Sequence, residues 1–180
     1  MGGSKLNVQL RGRPLIDYPL QALRQVLGDV AVIAKPEVQL PPLSGVTVWI
    51  EPAEPHHPLV GIVEALALAG PRGVLVCAAD LPFVTPALIG RIAHCDPGRA
   101  PAVIASCRGR TQPLLGCYLP AAGPLLAPAA RLAEEPVRQA VAAIHPVHVE
   151  VGDPDELFNV NSPEDLLVAA GILDQPNVKS

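Results

Sequence analysis

Residues Gly73–Phe83, reading Gly-Val-Leu-Val-Cys-Ala-Ala-Asp-Leu-Pro-Phe, carry the strongest constraint on the fold. Val74 to Cys77 is a continuous apolar run without polar alternation. Such a run predicts a strand buried on both faces, as in a parallel sheet covered by helices. Asp80 stands where the chain leaves the sheet, and Leu81-Pro82 prevents a helix from starting at once. Ligands of open α/β sheets collect outside the carboxyl ends of the strands. A carboxylate there has the chemistry to hold Mg²⁺ beside a nucleotide's phosphates. A turn aspartate or a helix cap is the competing role. Thr85-Pro86 supplies a better cap, with an N-cap hydroxyl and an N1 proline, so Asp80 is read as the metal ligand.

The rest of the chain alternates around this strand. Lys5–Leu10 reads as extended and Leu15–Leu27 as a helix stopped by Gly28, followed by strands over Val30–Ala34 and Val46–Ile50. Leu59–Ala69 reads as a helix ended by Gly70-Pro71, and another helix runs from Pro86 to about His94. This order argues for parallel βαβ units. Val103–Cys107, the turn Arg108-Gly109-Arg110 and Leu114–Leu119 read as a β-hairpin. Two short helices, Gly123–Leu132 and Pro136–Ile144, precede a strand at Val147–Val151. In Asn159-Val160-Asn161-Ser162-Pro163-Glu164-Asp165-Leu166, Ser162 is an N-cap and Pro163 an N1 proline for a last helix stopped by Gly171. There is no internal repeat and no sign of a second domain.

Composition narrows the class. The chain has 180 residues, 49% hydrophobic and 17% charged, which suits one domain with a sizeable core and excludes general disorder. Aromatic residues are 3% and the net charge is -4, so neither stacking platforms nor a basic surface for nucleic acid is expected. No apolar run reaches the length of a membrane span, and the first residues lack the apolar core of a signal peptide. Cys77, Cys95, Cys107 and Cys117 are widely spaced without a CxxC pair and read as buried thiols. A cytoplasmic protein without nucleic-acid or membrane partners is expected. His145-Pro146-Val147-His148 has the look of a metal pair but is read as a strand entrance.

Taken together, the motifs resemble those of molybdenum cofactor guanylyltransferases. Met1-Gly2-Gly3-Ser4-Lys5 with Gly12-Arg13-Pro14-Leu15-Ile16 resembles the tail of the signature LAGGxSxRMGxxK and its GxPLI sequel. Pro58-Leu59-Val60-Gly61-Ile62 resembles a PLxGI element, Cys77–Phe83 the metal-binding CxxDxPF turn, and Asn159–Leu166 the NxNTPEDL close. Gln112-Pro113-Leu114 in the hairpin adds to the set, which spans the chain in order. The resemblance implies a Rossmann-like nucleotidyltransferase fold: a mostly parallel, three-layer α/β sheet with a hairpin insertion. It implies Mg²⁺-dependent transfer of GMP from GTP to molybdopterin, releasing pyrophosphate, with molybdenum-cofactor maturation proteins as possible partners. Asp80 would hold Mg²⁺ and Lys5 would add a point charge to the same phosphates. Gly2, Gly3, Lys5, Pro58, Leu59, Gly61 and Asp80 would bind the nucleotide, with Gly61 letting the backbone approach the base. Arg108, Arg110, Gln112, Asn159 and Asn161 would meet the acceptor, although hairpin arginines are commonly solvated and loop asparagines commonly serve the local backbone.

Three departures from the family pattern accompany the match. Glu51-Pro52 stands where the family carries an aspartate, and His57 replaces a glycine before the PLxG element. The family's first strand, its Leu-Ala-Gly-Gly loop and the arginine before the methionine would precede Met1. The 180 residues are therefore expected to form one nucleotidyltransferase-like domain lacking that strand and loop, with an in-frame upstream extension or a marginal fold as the consequence. Two other readings stay open: a cytidylyltransferase or other nucleotidyltransferase of the same fold, and a non-catalytic nucleotide-fold partner in molybdenum-enzyme maturation.

Overall fold

A strand sends successive side chains to opposite faces, and in the strand Ala102–Cys107 each face meets its own apolar layer. Val103 and Ala105 pack with Leu81, Leu88, Ile89 and Ile92, whereas Ala102 and Ile104 pack with Leu59, Ile62, Leu66 and Leu126. Helices therefore cover both sides of one sheet, the three-layer α/β arrangement. The computed structural model from which these contacts come describes residues 8–174.

Strands β1 (Gln9–Leu10) and β2 (Arg13–Pro14) make a small antiparallel hairpin, followed by helix α1 (Asp17–Arg24). Strands β3 (Ala31–Ala34) and β4 (Thr47–Ile50) pair in parallel. Helix α2 (Pro58–Ala69) leads to β5 (Val74–Cys77), and α3 (Pro86–Ala93) leads to the strand above, β6. Strand β7 (Arg110–Tyr118) returns from β6, and helices α4 (Ala122–Leu132) and α5 (Val137–Ala143) precede β8 (Val147–Glu150). Helix α6 (Pro163–Asp174) closes the described chain.

The main sheet has the order β5–β7–β6–β8, and β3–β4 forms a separate two-stranded sheet. The three-layer α/β class is the expected one, but the described ladders are mixed rather than mostly parallel. The reason is the β6–β7 hairpin: Arg108 (φ 49°) and Gly109 (φ 76°) both adopt positive φ, as a two-residue type I′ turn requires. Strand β7 must then run antiparallel to β6, and it inserts between β6 and β5. The parallel partner of β6 is β8. Strand β5 keeps its expected bounds but is only half-buried along its length, because among the described residues it is paired on one edge alone. The strand buried on both faces is β6.

Local chemistry sets the helix ends. Thr85 Oγ1 accepts from Leu88 N at 3.1 Å at the start of α3. His57, which stands where a glycine was expected, caps α2: its Nδ1 accepts from Leu59 N at 3.4 Å. The ring's Nε2 then carries the proton and donates to Glu135 O at 3.1 Å. Gly70 (φ 65°) ends α2 as expected. Helix α6 instead runs through Gly171, since one glycine costs only about 1 kcal/mol in a helix.

Strand β7 approaches β6 so closely at Gly116 that a side chain has no room. A Cβ there would lie 2.5 Å from Ile104 Cδ1 and 2.7 Å from Val103 O, beside the register shift between Ile104 and Ala105. The isoleucine tip can turn aside but the carbonyl cannot. Gly116→Ala is therefore expected to destabilise the fold by about 1–3 kcal/mol, read as a lower urea midpoint with unchanged m-value. A midpoint equal to wild type would show that the two strands can separate without cost.

Candidate active site

The carboxyl end of β5 and the loop before α6 are joined through the backbone. Val160 N donates to Asp80 O at 3.0 Å. One strand over, Gln112 Nε2 donates to Asn159 Oδ1 at 3.2 Å. Asp80, Gln112 and Asn159, which lie in three separate stretches of sequence, are thus gathered at one end of the sheet. Asn161 is exposed beside them, and its backbone N–H donates to Asp165 Oδ2 at 2.9 Å.

The closing loop is held by a reciprocal helix cap. Asp165 N donates to Ser162 Oγ at 3.1 Å, and Ser162 N donates back to Asp165 Oδ2 at 2.9 Å. Ser162 was legible as a cap in the sequence; Asp165 as its partner was not, because the usual box carries Glu or Gln at that position. Phe158 leans on Phe83, the two rings 6.1 Å apart, and Val160 packs with Leu10 and Leu15.

Cys77 ends β5 in an apolar setting. Burial pushes its thiol up to about 12, and the Asp80 charge adds to the effect. Cys77 therefore packs as a neutral thiol against the cluster of Leu81, Leu88 and Leu115. Among the described residues no group of three or more His, Cys, Asp or Glu side chains is arranged to hold a metal ion. That excludes an all-protein cage but fits Mg²⁺, which is usually bound by one or two carboxylates together with substrate phosphates and water. His145 (φ 52°) stands just before β8, and His148 lies within that strand.

Pro58 and Gly61 line a cavity of about 260 Å³ between β3 and β5, which extends to Ala79 beside Asp80. Leu59 does not. It is fully buried on the opposite side of α2, packed in the cluster of Ile104, Tyr118 and Leu126. Adjacent helical residues point about 100° apart, so Leu59 faces the sheet where Pro58 and Gly61 face the cavity. Gly2, Gly3 and Lys5 lie outside the described residues.

Glu51 lines the same cavity with Lys35 beside it, and neither was assigned a role by spacing alone. Lys35 Nζ donates to Pro52 O at 2.6 Å and Pro55 O at 2.9 Å, and lies 3.9 Å from Glu51 Oε2. Burial raises the Glu51 carboxyl above the ordinary carboxylate range, against the pull of Lys35. A lysine directly after the apolar run Val30–Ala34 was the only sequence signal for this arrangement.

The hairpin tip carries Arg108 and Arg110, both exposed. The Arg108 backbone is held from below by Glu150, whose carboxylate accepts from Ser106 Oγ and from Arg108 N, each at 2.8 Å. These two hydrogen bonds hold the Glu150 carboxyl below its ordinary value.

A model of the MobA-like NTP transferase domain matches residues 1–149. A relative from Synechococcus elongatus, named a probable molybdenum cofactor guanylyltransferase, is 27% identical over 172 residues, covering 92% of this chain and 89% of its own length. Among solved structures, molybdopterin-guanine dinucleotide biosynthesis protein A from Archaeoglobus fulgidus superposes with a TM-score of 0.74 at 21% identity, over 97% of this chain and 93% of that one. The 2-C-methyl-D-erythritol 4-phosphate cytidylyltransferase of Thermus thermophilus gives 0.70 at 23% identity, over 95% and 94%. At these identities the two structures establish the fold alone.

Two outcomes are expected at this site. Ser162→Ala removes the acceptor for Asp165 N and should cost about 0.5–2 kcal/mol, with faster amide exchange at Val160. An unmoved denaturant midpoint would count against the cap. The Glu150 contacts hold above the ordinary carboxylate range, because its folded pKa is the lower one; they are lost as pH falls through that value. Arg108 N–H should therefore show an amide shift that titrates with Glu150 in NMR, at a pH below 4.5. A midpoint at or above 4.5 would oppose this account.

Proposed function

Because the chain belongs to the MobA-like NTP transferase domain family and is a nucleotidyltransferase, we propose that it transfers GMP from GTP to molybdopterin, releasing pyrophosphate. The observation that carries the reading is the gathering of Asp80, Gln112 and Asn159 at the carboxyl end of β5, where such sheets bind nucleotides. The names of the curated relatives supply the choice of guanylyl donor and molybdopterin acceptor.

Each residue has a definite task in this reading. Asp80 would hold Mg²⁺, which when bound neutralises charge on the phosphate oxygens during in-line displacement. The acceptor's terminal phosphate oxygen attacks the α-phosphorus of GTP, and the bond to the bridging oxygen breaks to free pyrophosphate. Pro58 and Gly61 shape the wall that receives the base. Gln112, held against Asn159, and the arginines Arg108 and Arg110 on the anchored hairpin orient the acceptor, with Asn161 at the edge of the same loop. Gly2, Gly3 and Lys5 retain the phosphate role that the sequence resemblance gives them. A cytoplasmic reaction is part of this reading. Among the described residues no helix is long and apolar enough to cross a membrane.

A second reading, a cytidylyl donor, draws support from the similarity in fold to the cytidylyltransferase. Titrating GTP and CTP in the presence and absence of Mg²⁺ separates the two. Asp80→Asn, which preserves shape, should leave the melting transition in place and reduce Mg²⁺-dependent nucleotide transfer by about 100-fold or more. Full activity of that variant at limiting Mg²⁺ would remove Asp80 from the metal role.

A further inference from the structure

Strand β4 has an outer edge that pairs with no other strand among the described residues. The bond from Glu51 N to Ala34 O, in the register that sets Ala34 beside Ile50, turns Thr47, Trp49 and Glu51 toward β3. Backbone groups alternate in direction along a strand, so the N–H and C=O of Val48 and Ile50 point away from the sheet. No turn or loop hydrogen bond among the described residues reaches either one. Their side chains are open as well, Val48 being 42% and Ile50 55% exposed. Val32, beside Val48 in the ladder, is by contrast packed with Ile16 and Leu20.

An unpaired edge is a template for another strand, and native proteins blunt it with charge, proline or a bulge. Strand β8, at the end of the main sheet, follows that rule with exposed His148 and Glu150. Strand β4 does not. Val46-Thr47-Val48-Trp49-Ile50 holds no charged residue and no proline. Every member is β-branched or aromatic, the residue types that strands favour. Pro52, two residues past Ile50, lacks an N–H and ends the row of donors.

We propose that this edge is a self-association site, where two copies of the chain pair their β4 strands antiparallel about a two-fold axis at Trp49. Such a contact needs a self-complementary surface, and the strand supplies it in backbone, side chain and charge. With Val48 opposite Ile50 of the second copy, symmetry makes two hydrogen-bonded pairs, and every outward N–H and C=O of these residues is used. Trp49 then faces its own counterpart in the pair between them, where side chains come closest and aromatic partners stabilise a sheet. The charges fall at opposite ends. Past the carboxyl end of β4, Glu54 Oε1 and Glu37 Oε1 lie 3.2 and 3.9 Å from the ring nitrogens of His56, two carboxylates to one imidazole. Before its amino end, Arg13 and Arg24 share a cleft with Asp17 and Val46, and Arg24 donates to Ser44 O. Antiparallel pairing sets each basic end against the acidic end of the second copy, whereas parallel pairing sets like against like.

This inference does not depend on which nucleotide or acceptor is used. Sedimentation of the 180-residue chain over a range of concentrations should show monomer passing to dimer and no further. Over the same range, amide exchange at Val48 and Ile50 should slow by about tenfold or more. The amides of Thr47 and Trp49, already turned to β3, should change far less. Trp49 is the chain's one tryptophan, and its emission should move to shorter wavelength as the dimer forms. Val48→Pro removes an outward N–H and spares the bonds to β3, a change that edge strands tolerate. It should raise the dissociation constant about tenfold or more. Ile50→Lys, which alters an exposed side chain and no backbone group, should do the same. Arg24→Glu and Glu54→Arg should each weaken the dimer roughly threefold or more, and their combination should restore it. A monomer at every concentration, growth beyond the dimer, or wild-type association of both Val48→Pro and Ile50→Lys would overturn the proposal. A combined charge variant no better than either single one would overturn the antiparallel arrangement. Protection of Val48 and Ile50 that is independent of concentration would make the same chain the occupant, and would also overturn it.

Discussion

The pairing of β6 with β7 is the constraint on which the rest of the molecule depends. The two strands approach so closely at Gly116 that only hydrogen fits, and the register shift beside it lets Gln112 sit opposite Ala105. By lying between β5 and β6, β7 also determines which strand is central. Strand β6 becomes the wall that both apolar clusters share, through Val103 and Ala105 on one side and Ala102 and Ile104 on the other. Tyr118 at the end of β7 is wholly buried, with its hydroxyl donating to Pro113 O at 2.6 Å. A fully satisfied polar group in that position fixes the strand end without the cost of an orphaned donor.

The candidate site is built on this frame from backbone ties more than from side-chain contacts. The Val160-to-Asp80 bond, the Ser162–Asp165 cap and the Glu150 anchor each fix a loop through a main-chain group. Chemistry at phosphate depends chiefly on positioning, and loops held by several hydrogen bonds of ordinary length provide it. The aromatic poverty of the chain is met in the same spirit: Phe83 and Phe158 are used together, where they brace the Asp80 turn against the closing loop.

Much of this was legible in the sequence where the determinant is local. The bounds of β5, the cap at Thr85, the cap at Ser162 and the stop at Gly70 each follow from a few adjacent residues. The hairpin turn is equally local, since Arg108-Gly109 supplies the positive φ it needs. What sequence did not disclose depends on distant partners. The half-burial of β5 depends on its pairing with β7 on one edge alone among the described residues, not on the run Val-Leu-Val-Cys. The insertion of β7 beside β5 pairs residues about forty apart, such as Leu75 with Cys117, and no periodicity encodes such a choice. Leu59 reads as part of a motif with Pro58 and Gly61, but the turn of the helix sends it to the core. Lys35 is invisible as a loop clamp because its acceptors, the carbonyls of Pro52 and Pro55, carry no side-chain signature.

The bond between Val160 and Asp80 has a bearing on how the protein is made. Its two ends are separated by nearly half of the chain, so a ribosome releases the Asp80 turn long before the loop that secures it. During that interval the turn at the end of β5 lacks its brace, and Phe83 lacks the ring of Phe158. A polypeptide cut short between Glu150 and residue 160 would hold all the described sheet strands without the bond that closes the Asp80 turn. Contacts that span so much sequence also slow folding, because the loop entropy is lost before the contact returns anything. The order of synthesis thus leaves the candidate site of an unfinished chain open until its closing loop has emerged.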